Sequence, residues 1–104
     1  MIQPLEGITI LDLSSILMVP YCTRILADLG ADVIKIESLV GDNTRYIGPY
    51  ENKSMGAVFL NLNRNKKSVS VDLKTPKGKE IIFKLIKKSD VFISNIRKSA
   101  LSRL

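Results

Sequence analysis

Hydrophobic and polar positions alternate along Ile8-Thr9-Ile10-Leu11-Asp12-Leu13, a segment rich in strand formers, so a first strand is predicted near 8–13. Ile25, Leu26 and Leu29 then recur at helical spacing, with Pro20 suited to a first helical turn and Gly30 to a C-cap, which predicts a helix near 20–29. Asp32-Val33-Ile34-Lys35-Ile36-Glu37 predicts a second strand. Strand, helix and strand within about 30 residues make a βαβ unit, which implies parallel strands and a right-handed crossover. Ser38 to about Gly56 shows no sustained period and reads as a long loop, and loops of this length are usually functional. Met55 to Leu62 reads as a short apolar segment. Ser68-Val69-Ser70-Val71-Asp72-Leu73 alternates as a third strand, near 68–73. Thr75 and Pro76 open a helix near 76–88 as N-cap and first helical residue, with Ile81, Ile82, Leu85 and Ile86 along one face. Asp90-Val91-Phe92-Ile93-Ser94-Asn95 predicts a fourth strand near 90–95, and Ser99 to Leu104 begins a further helix. The alternation defines an α/β fold with a parallel sheet and flanking helices, and its ending mid-element reads as a domain cut short.

Length narrows this to one domain or a piece of one: 104 residues, 45% hydrophobic and 25% charged. No run approaches the roughly 18 apolar residues of a membrane span, and the first residues resemble no signal peptide, so a cytoplasmic protein without membrane partners is expected. Cys22 is the single cysteine and there is no histidine. A Ser–His–Asp or Cys–His nucleophile therefore cannot be assembled from these residues, and a zinc site would have almost nothing but oxygen ligands. Cys22 itself reads as a small core or interface residue.

The net charge of +6 is unevenly spread. Residues 1–52 hold three basic and seven acidic side chains, whereas residues 53–104 hold thirteen and three. A basic half suggests a polyanionic partner, namely nucleic acid, a membrane surface or a phosphate-rich cofactor, unless the lysines are simply a solvated helix face. No aromatic interleaving accompanies Asn63 to Lys67, so nucleic acid is not expected. Glu37, ending the second strand, stands where dinucleotide folds hold a ribose hydroxyl. The first strand–helix turn, Ser14-Ser15-Ile16-Leu17-Met18-Val19-Pro20, contains no glycine, and a pyrophosphate cradle needs glycines for backbone to reach the phosphates. An NAD site is accordingly not expected. Tyr46 and Tyr50 read as loop packing, and nothing marks Asp12 and Asp28 as an acid–base pair.

Several segments carry a more specific likeness. Pro4-Leu5-Glu6-Gly7-Ile8 leads into Leu11-Asp12-Leu13, followed by Leu26 through Glu37 and by Gly41-Asp42-Asn43-Thr44-Arg45. Asn63-Arg64-Asn65-Lys66-Lys67-Ser68, Val71-Asp72-Leu73-Lys74-Thr75-Pro76-Lys77-Gly78 and Asp90-Val91 through Asn95, then Arg97, Leu101 and Arg103, complete the series. In this order they resemble the start of the class III CoA-transferases, a family that includes formyl-CoA transferase, carnitine and bile-acid CoA-transferases and α-methylacyl-CoA racemase. The resemblance implies a Rossmann-like sheet used for CoA, with residues 1–104 as the N-terminal part of the CoA-binding domain and the second domain and catalytic region absent.

The resemblance also places coenzyme A or acyl-CoA, as substrate and not as a permanent cofactor, along the ends of the strands. The matching positions are Ile16, Leu17 and Met18 after the first strand, Val71, Asp72, Leu73 and Lys74 at the third, Asn95, Ile96 and Arg97 at the fourth, and Arg103 beyond. The physical logic agrees, because a pyrophosphate and a 3′-phosphate call for fixed cations, and guanidinium forks suit phosphate well. Departures from the pattern are Met18-Val19 before Pro20, Ser38 after Glu37, and Ile96 after Asn95. In relatives an aspartate attacks the thioester to give an anhydride and then an enzyme–CoA thioester, with a carboxylic acid as acceptor; the racemase branch uses an acid–base pair instead. Both sets lie downstream of the motifs found here, so no catalytic residue is assigned and the 104-residue chain is expected to be inactive alone. The family folds as an interlocked homodimer. Transferase, racemase-like enzyme and non-catalytic CoA-binding module all remain open at this level.

Overall fold

The structure, a computed structural model, describes residues 2–104. Four parallel strands, β1 (Thr9–Leu13), β2 (Asp32–Glu37), β3 (Lys66–Ser70) and β4 (Val91–Ser94), lie in the order β3-β2-β1-β4. Leu11 pairs with Ile34 on one side and with Phe92 on the other, and Lys35 pairs with Ser68, so β1 and β2 form the centre of the sheet. The chain runs β1 to β2 to β3 in one direction and then returns across the sheet to place β4 beside β1. With right-handed crossovers, that reversal puts the intervening helices on opposite faces.

The two hydrophobic clusters follow this geometry. Side chains of α1 (Met18–Asp28) close one face, where Ala27 and Ala31 pack on Ile10 and Val33. Side chains of α3 (Pro76–Lys88) close the other, where Ile82 joins Leu11, Leu13, Ile36 and Val71, flanked by Leu85 and Ile86. A shorter α2 (Ala57–Leu62) lies beside α1, joined to it by a 3.0 Å hydrogen bond from Arg24 Nη1 to Asn61 Oδ1. A last turn, α4 (Lys98–Leu101), follows β4.

The predicted elements are present with shifted edges. Helix α1 begins at Met18, which makes Pro20 its third residue; that position still lies in the first turn, where no intrahelical N–H bond is lost. Its end is a Schellman arrangement: Gly30 at φ +105° donates to Ala27 O at 3.0 Å, and Ala31 donates to Leu26 O at 3.1 Å. Strand β3 starts two residues earlier than its alternation suggests, because Lys66 and Lys67 pair with Val33 and Ile34 of β2. It stops at Ser70 because Asp72 turns the chain, its carboxylate accepting from Lys74 N at 3.0 Å and its carbonyl from Thr75 N at 3.2 Å. The apolar stretch from Met55 resolves into α2. Cys22, read as a core or interface residue, is exposed on α1 and so is not part of the core.

The threonine–proline–glycine motif has a steric explanation. Thr75 caps α3 by accepting from Gly78 N at 3.0 Å, which draws the first helical turn against the Asp72 turn. A Cβ on Gly78 would stand 1.9 Å from the Asp72 carbonyl oxygen, so no other residue fits without moving backbone. Gly78→Ala is therefore expected to destabilise the fold by about 1–3 kcal/mol, read as a lower urea midpoint at unchanged slope.

Candidate functional site

The carboxyl ends of the four strands surround a cleft of about 360 Å³, at the point where the order of connections reverses. Leu13, Ser14 and Ser15 contribute the wall after β1, Ile36 to Leu39 that after β2, Val71 to Lys74 that after β3, and Ile96 that after β4. Gly41, Asp42 and Asn43 close one end and Leu104 another. Open parallel sheets bind their ligands at this place, because strand ends and turns there converge without side chains filling the space.

Beneath the cleft, between the sheet and α1, lies a group of buried charges. Asp12, on the α1 face of β1, accepts from Lys66 Nζ at 3.2 Å and from the hydroxyls of Ser14 and Thr23. Lys35, on the same face of β2, meets Asp42 at 3.0 Å and donates to Ser14 O at 3.0 Å. These four charged side chains are at most 2% exposed. Asp42 also accepts from Ile16 N at 3.2 Å, Thr44 N at 2.9 Å and Thr44 Oγ1 at 2.8 Å. Burial opposes its ionisation, but the Thr44 amide and Lys35 outweigh this and hold its carboxyl below the usual range. Burial pushes the Lys66 ammonium below its ordinary pKa, against the pull of Asp12.

The Gly-Asp-x-Thr-Arg loop is fastened by a second pair. Arg45 reaches both carboxylate oxygens of Glu37, at 2.8 and 2.7 Å, with its guanidinium 3.8 Å from the centre of the Phe59 ring. Glu37 further accepts from Asp42 N at 2.8 Å and from the Ser68 hydroxyl. All of its acceptor capacity at short range is thus directed at protein donors, and the ribose-binding role considered for it has no free oxygen to work with. Burial again raises the cost of the charge; Arg45, Ser68 and the Asp42 amide overcome it and lower the pKa to about 2.

Of the predicted site residues, the structure brings Val71, Asp72, Leu73, Lys74 and Ile96 into the cleft wall. Asp72 spends its carboxylate on the turn that carries Lys74. Ile16, Leu17 and Met18 stand at the mouth, not in the wall, with exposed side chains. Asn95 braces the first turn from β4, donating to Ser15 O at 2.8 Å and accepting from Ser15 N at 3.2 Å. Arg97 and Arg103 are exposed beside Ile96 and Leu104 and lie outside the cleft wall. Lys74, Arg97 and Arg103 form no ion pair among the described residues.

Sequence reasoning missed Lys35 and Asp42 as determinants of the cleft. Their signal was present: a lysine at a core-facing position of an apolar strand requires a buried counter-ion, and Asp42 sits in a motif that had been noticed only for its likeness. The basic motif from Asn63 is paired within the chain. Arg64 and Asn65 both bind Asp28 at 2.7 Å, and Lys67 binds Asp32 at 2.8 Å. Its three cations thus meet Asp28, Asp12 and Asp32 of the acidic first half. Tyr46 is loop packing, donating to Val40 O at 2.6 Å.

Fold and cleft together define a doubly wound α/β protein with a cleft at the sheet's switch point, lacking the glycine cradle of dinucleotide enzymes. The model of CoA-transferase family III matches residues 5–104, and the chain belongs to that family. It is 46% identical to human succinyl-CoA:glutarate CoA-transferase over 104 residues, covering 99% of this chain and 24% of that protein. It is 44% identical to formyl-CoA:oxalate CoA-transferase of a Bradyrhizobium species, covering 100% and 25% respectively. Among solved structures, a CAIB/BAIF family protein from Brucella suis superposes with a TM-score of 0.92 at 37% identity, covering 99% of this chain and 28% of that one. The chain thus spans about a quarter of the length of the curated relatives it matches. No helix among the described residues is long and apolar enough to cross a membrane.

The Glu37–Arg45 pair sets a pH test. A carboxyl lowered from 4.5 to about 2 contributes stability that is fully present above its unfolded pKa and is lost as pH falls through the folded one. Glu37→Gln should therefore be less stable than wild type at neutral pH, and the gap should close between pH 4.5 and 2. Urea midpoints across that range, compared between the two proteins, check this.

Proposed function

We propose that the cleft binds coenzyme A through its phosphates and that the chain forms the N-terminal part of the CoA-binding domain of a CoA-transferase. That enzyme moves CoA from an acyl-CoA donor to a carboxylic acid acceptor through an aspartyl intermediate on a residue outside these 104 positions. The observation that carries the reading is the set of unpaired cations around the switch-point cleft, Lys74, Arg97 and Arg103, in a chain whose other motif cations are consumed by carboxylates. The names of the relatives supply the reaction, since those cited are CoA-transferases; none is named as a racemase. A homodimer and a cytoplasmic setting belong to the same proposal. The dimer finds support in large apolar side chains left open to solvent, such as Leu39 at 71% and Phe83 at 58%.

Binding should lean on the guanidinium contacts to phosphate. A hydrogen bond to a charged group is worth roughly 1.5–3 kcal/mol, so Arg97→Ala should weaken CoA by about tenfold or more. Desulfo-CoA should bind as CoA does, since these cations read phosphates and not the thiol. NAD should bind poorly. A short DNA duplex should show no steep, salt-sensitive binding. Titration of the four ligands against wild type and Arg97→Ala decides; equal CoA affinity in both proteins removes Arg97 from the site.

The 104-residue chain alone should turn over no acyl-CoA, because the carboxylates that line the cleft, Glu37, Asp42 and Asp72, are each engaged by protein donors. Release of free CoA or exchange of its acyl group above a protein-free blank would overturn this.

A further inference from the structure

The two edges of the sheet are unlike. At one edge β3 reads Lys66-Lys67-Ser68-Val69-Ser70, and lysines are a usual means of keeping an open edge from pairing. At the other edge β4 reads Val91-Phe92-Ile93-Ser94, an apolar run of the kind found inside parallel sheets. Yet β4 pairs with β1 alone, and Val91 and Phe92 are 44% and 39% exposed. Asp90 N donates to Thr9 O at 2.9 Å, and successive amides of a strand alternate in direction, so those of Val91 and Ile93 point away from β1 to the open edge. Phe92 borders an apolar cavity of about 170 Å³ with Ile82 and Phe83 of α3 and Leu101 of α4, and Lys79 is its one charged lining residue.

Charge divides along the same line. Residues 71–104 hold nine basic and three acidic side chains and residues 1–70 hold seven of each, so the whole net charge of +6 falls on the segment that carries α3, β4 and α4. Its three acids are occupied: Asp72 accepts from Lys74 N, Asp90 from Thr9 N, and Glu80 meets Lys77 and Lys84. Lys87 and Lys88 stand shortly before β4 and Arg97 and Lys98 shortly after it, all exposed and with no ion pair among the described residues. Like charge therefore opposes a second copy at this edge. Whether two β4 strands met parallel or antiparallel, cations at the ends of one would face cations at the ends of the other.

We propose that the open edge of β4 is a docking site for an extended, apolar polypeptide segment with acidic residues at its ends, which adds to the sheet as a fifth strand. Main-chain hydrogen bonds to Val91 and Ile93 hold it, Phe92 and the cavity beside it take its apolar side chains, and the cations at both ends of β4 select its charge. The edge is open in this way whether or not the cleft holds CoA.

The test uses the 104-residue chain with two blocked peptides, acetyl-Glu-Glu-Val-Thr-Val-Thr-Val-Glu-Glu-amide and its twin with lysine in place of each glutamate. With about 1 mM of the acidic peptide, hydrogen exchange at the Val91 and Ile93 amides should slow about tenfold, as a Kd of about 0.1 mM gives. The amides of Ser68 and Ser70 are the control: Val71 N donates to Glu37 O, so by the same alternation these two face the open side of β3, and their exchange should not change. The lysine peptide should protect neither edge, and added salt should weaken the acidic one, because the flanking cations are exposed. Lys87→Glu with Lys98→Glu, a surface change outside the cleft wall, should reverse the preference between the peptides. Exchange at Val91 and Ile93 unmoved by the acidic peptide, equal protection by both peptides, equal protection at Ser68 and Ser70, or an unreversed preference in the double variant overturns the proposal. So does protection of β4 that grows with the concentration of the chain alone, which would make a second copy the occupant.

Discussion

Two lysines and two aspartates share the space between the sheet and α1, and each comes from a different part of the chain: Asp12 from β1, Lys35 from β2, Asp42 from the following loop and Lys66 from the start of β3. Removing two such pairs from water is expensive, and a buried pair is weak grounds for stability in itself. Its effect here is on uniqueness. A one-residue slip of β2 or β3 would carry a lysine to the opposite face, among Leu11, Ile36 and Ile82, with no carboxylate to meet it. The register of three strands and the path of the Gly-Asp-x-Thr-Arg loop are therefore coupled through four charges. Because Ser14 is bonded by both Asp12 and Lys35, the first wall of the cleft is coupled to them as well.

The charge asymmetry of the sequence gains a meaning from the same pairing. Arg64, Lys66 and Lys67 of the basic half meet Asp28, Asp12 and Asp32 of the acidic half, so part of the imbalance is a complementarity that binds β3 to the first βαβ unit. Lys77 and Lys84 divide Glu80 between them on the outer surface of α3, where such pairs contribute little. What this accounting leaves near the cleft is Lys74 in its wall, with Arg97 and Arg103 beside it. A count of basic residues alone could not separate these two populations, since it takes the sheet register to say which cations have partners.

Local patterns made the fold legible because each strand and helix announces itself in its own residues. Alternation in Thr9–Leu13, the cap formed by Thr75 and Pro76, and the glycine after α1 all act within a few positions. The edges of β3 were less legible, since Lys66 and Lys67 enter the sheet through partners more than 30 positions away, Asp12 and Asp32. The site divides along the same line. Val71 to Lys74 and Ile96 lie just past the ends of β3 and β4, and the likeness of their motifs to the family's had marked them for the cleft. The role of Asn95 as a brace on Ser15, and the role of Asp42 under Ile16, depend on contacts 80 and 26 residues apart, which only the folded sheet brings together.

A doubly wound sheet ordinarily meets phosphate at its first turn, where glycines let the backbone approach and the following helix points its amides at the ligand. Here α1 has no side-chain cap, its preceding turn carries isoleucine, leucine and methionine, and two amides of that turn are bound to Asp42 and Asn95. Two of the amides that this device would use are therefore already committed to side chains that tie the ends of β1, β2 and β4 together. Unpaired side-chain charge at this end of the sheet comes from the two edges, Lys74 after β3 and Arg97 after β4, while the central turn after β1 carries the exposed apolar side chains of Ile16, Leu17 and Met18.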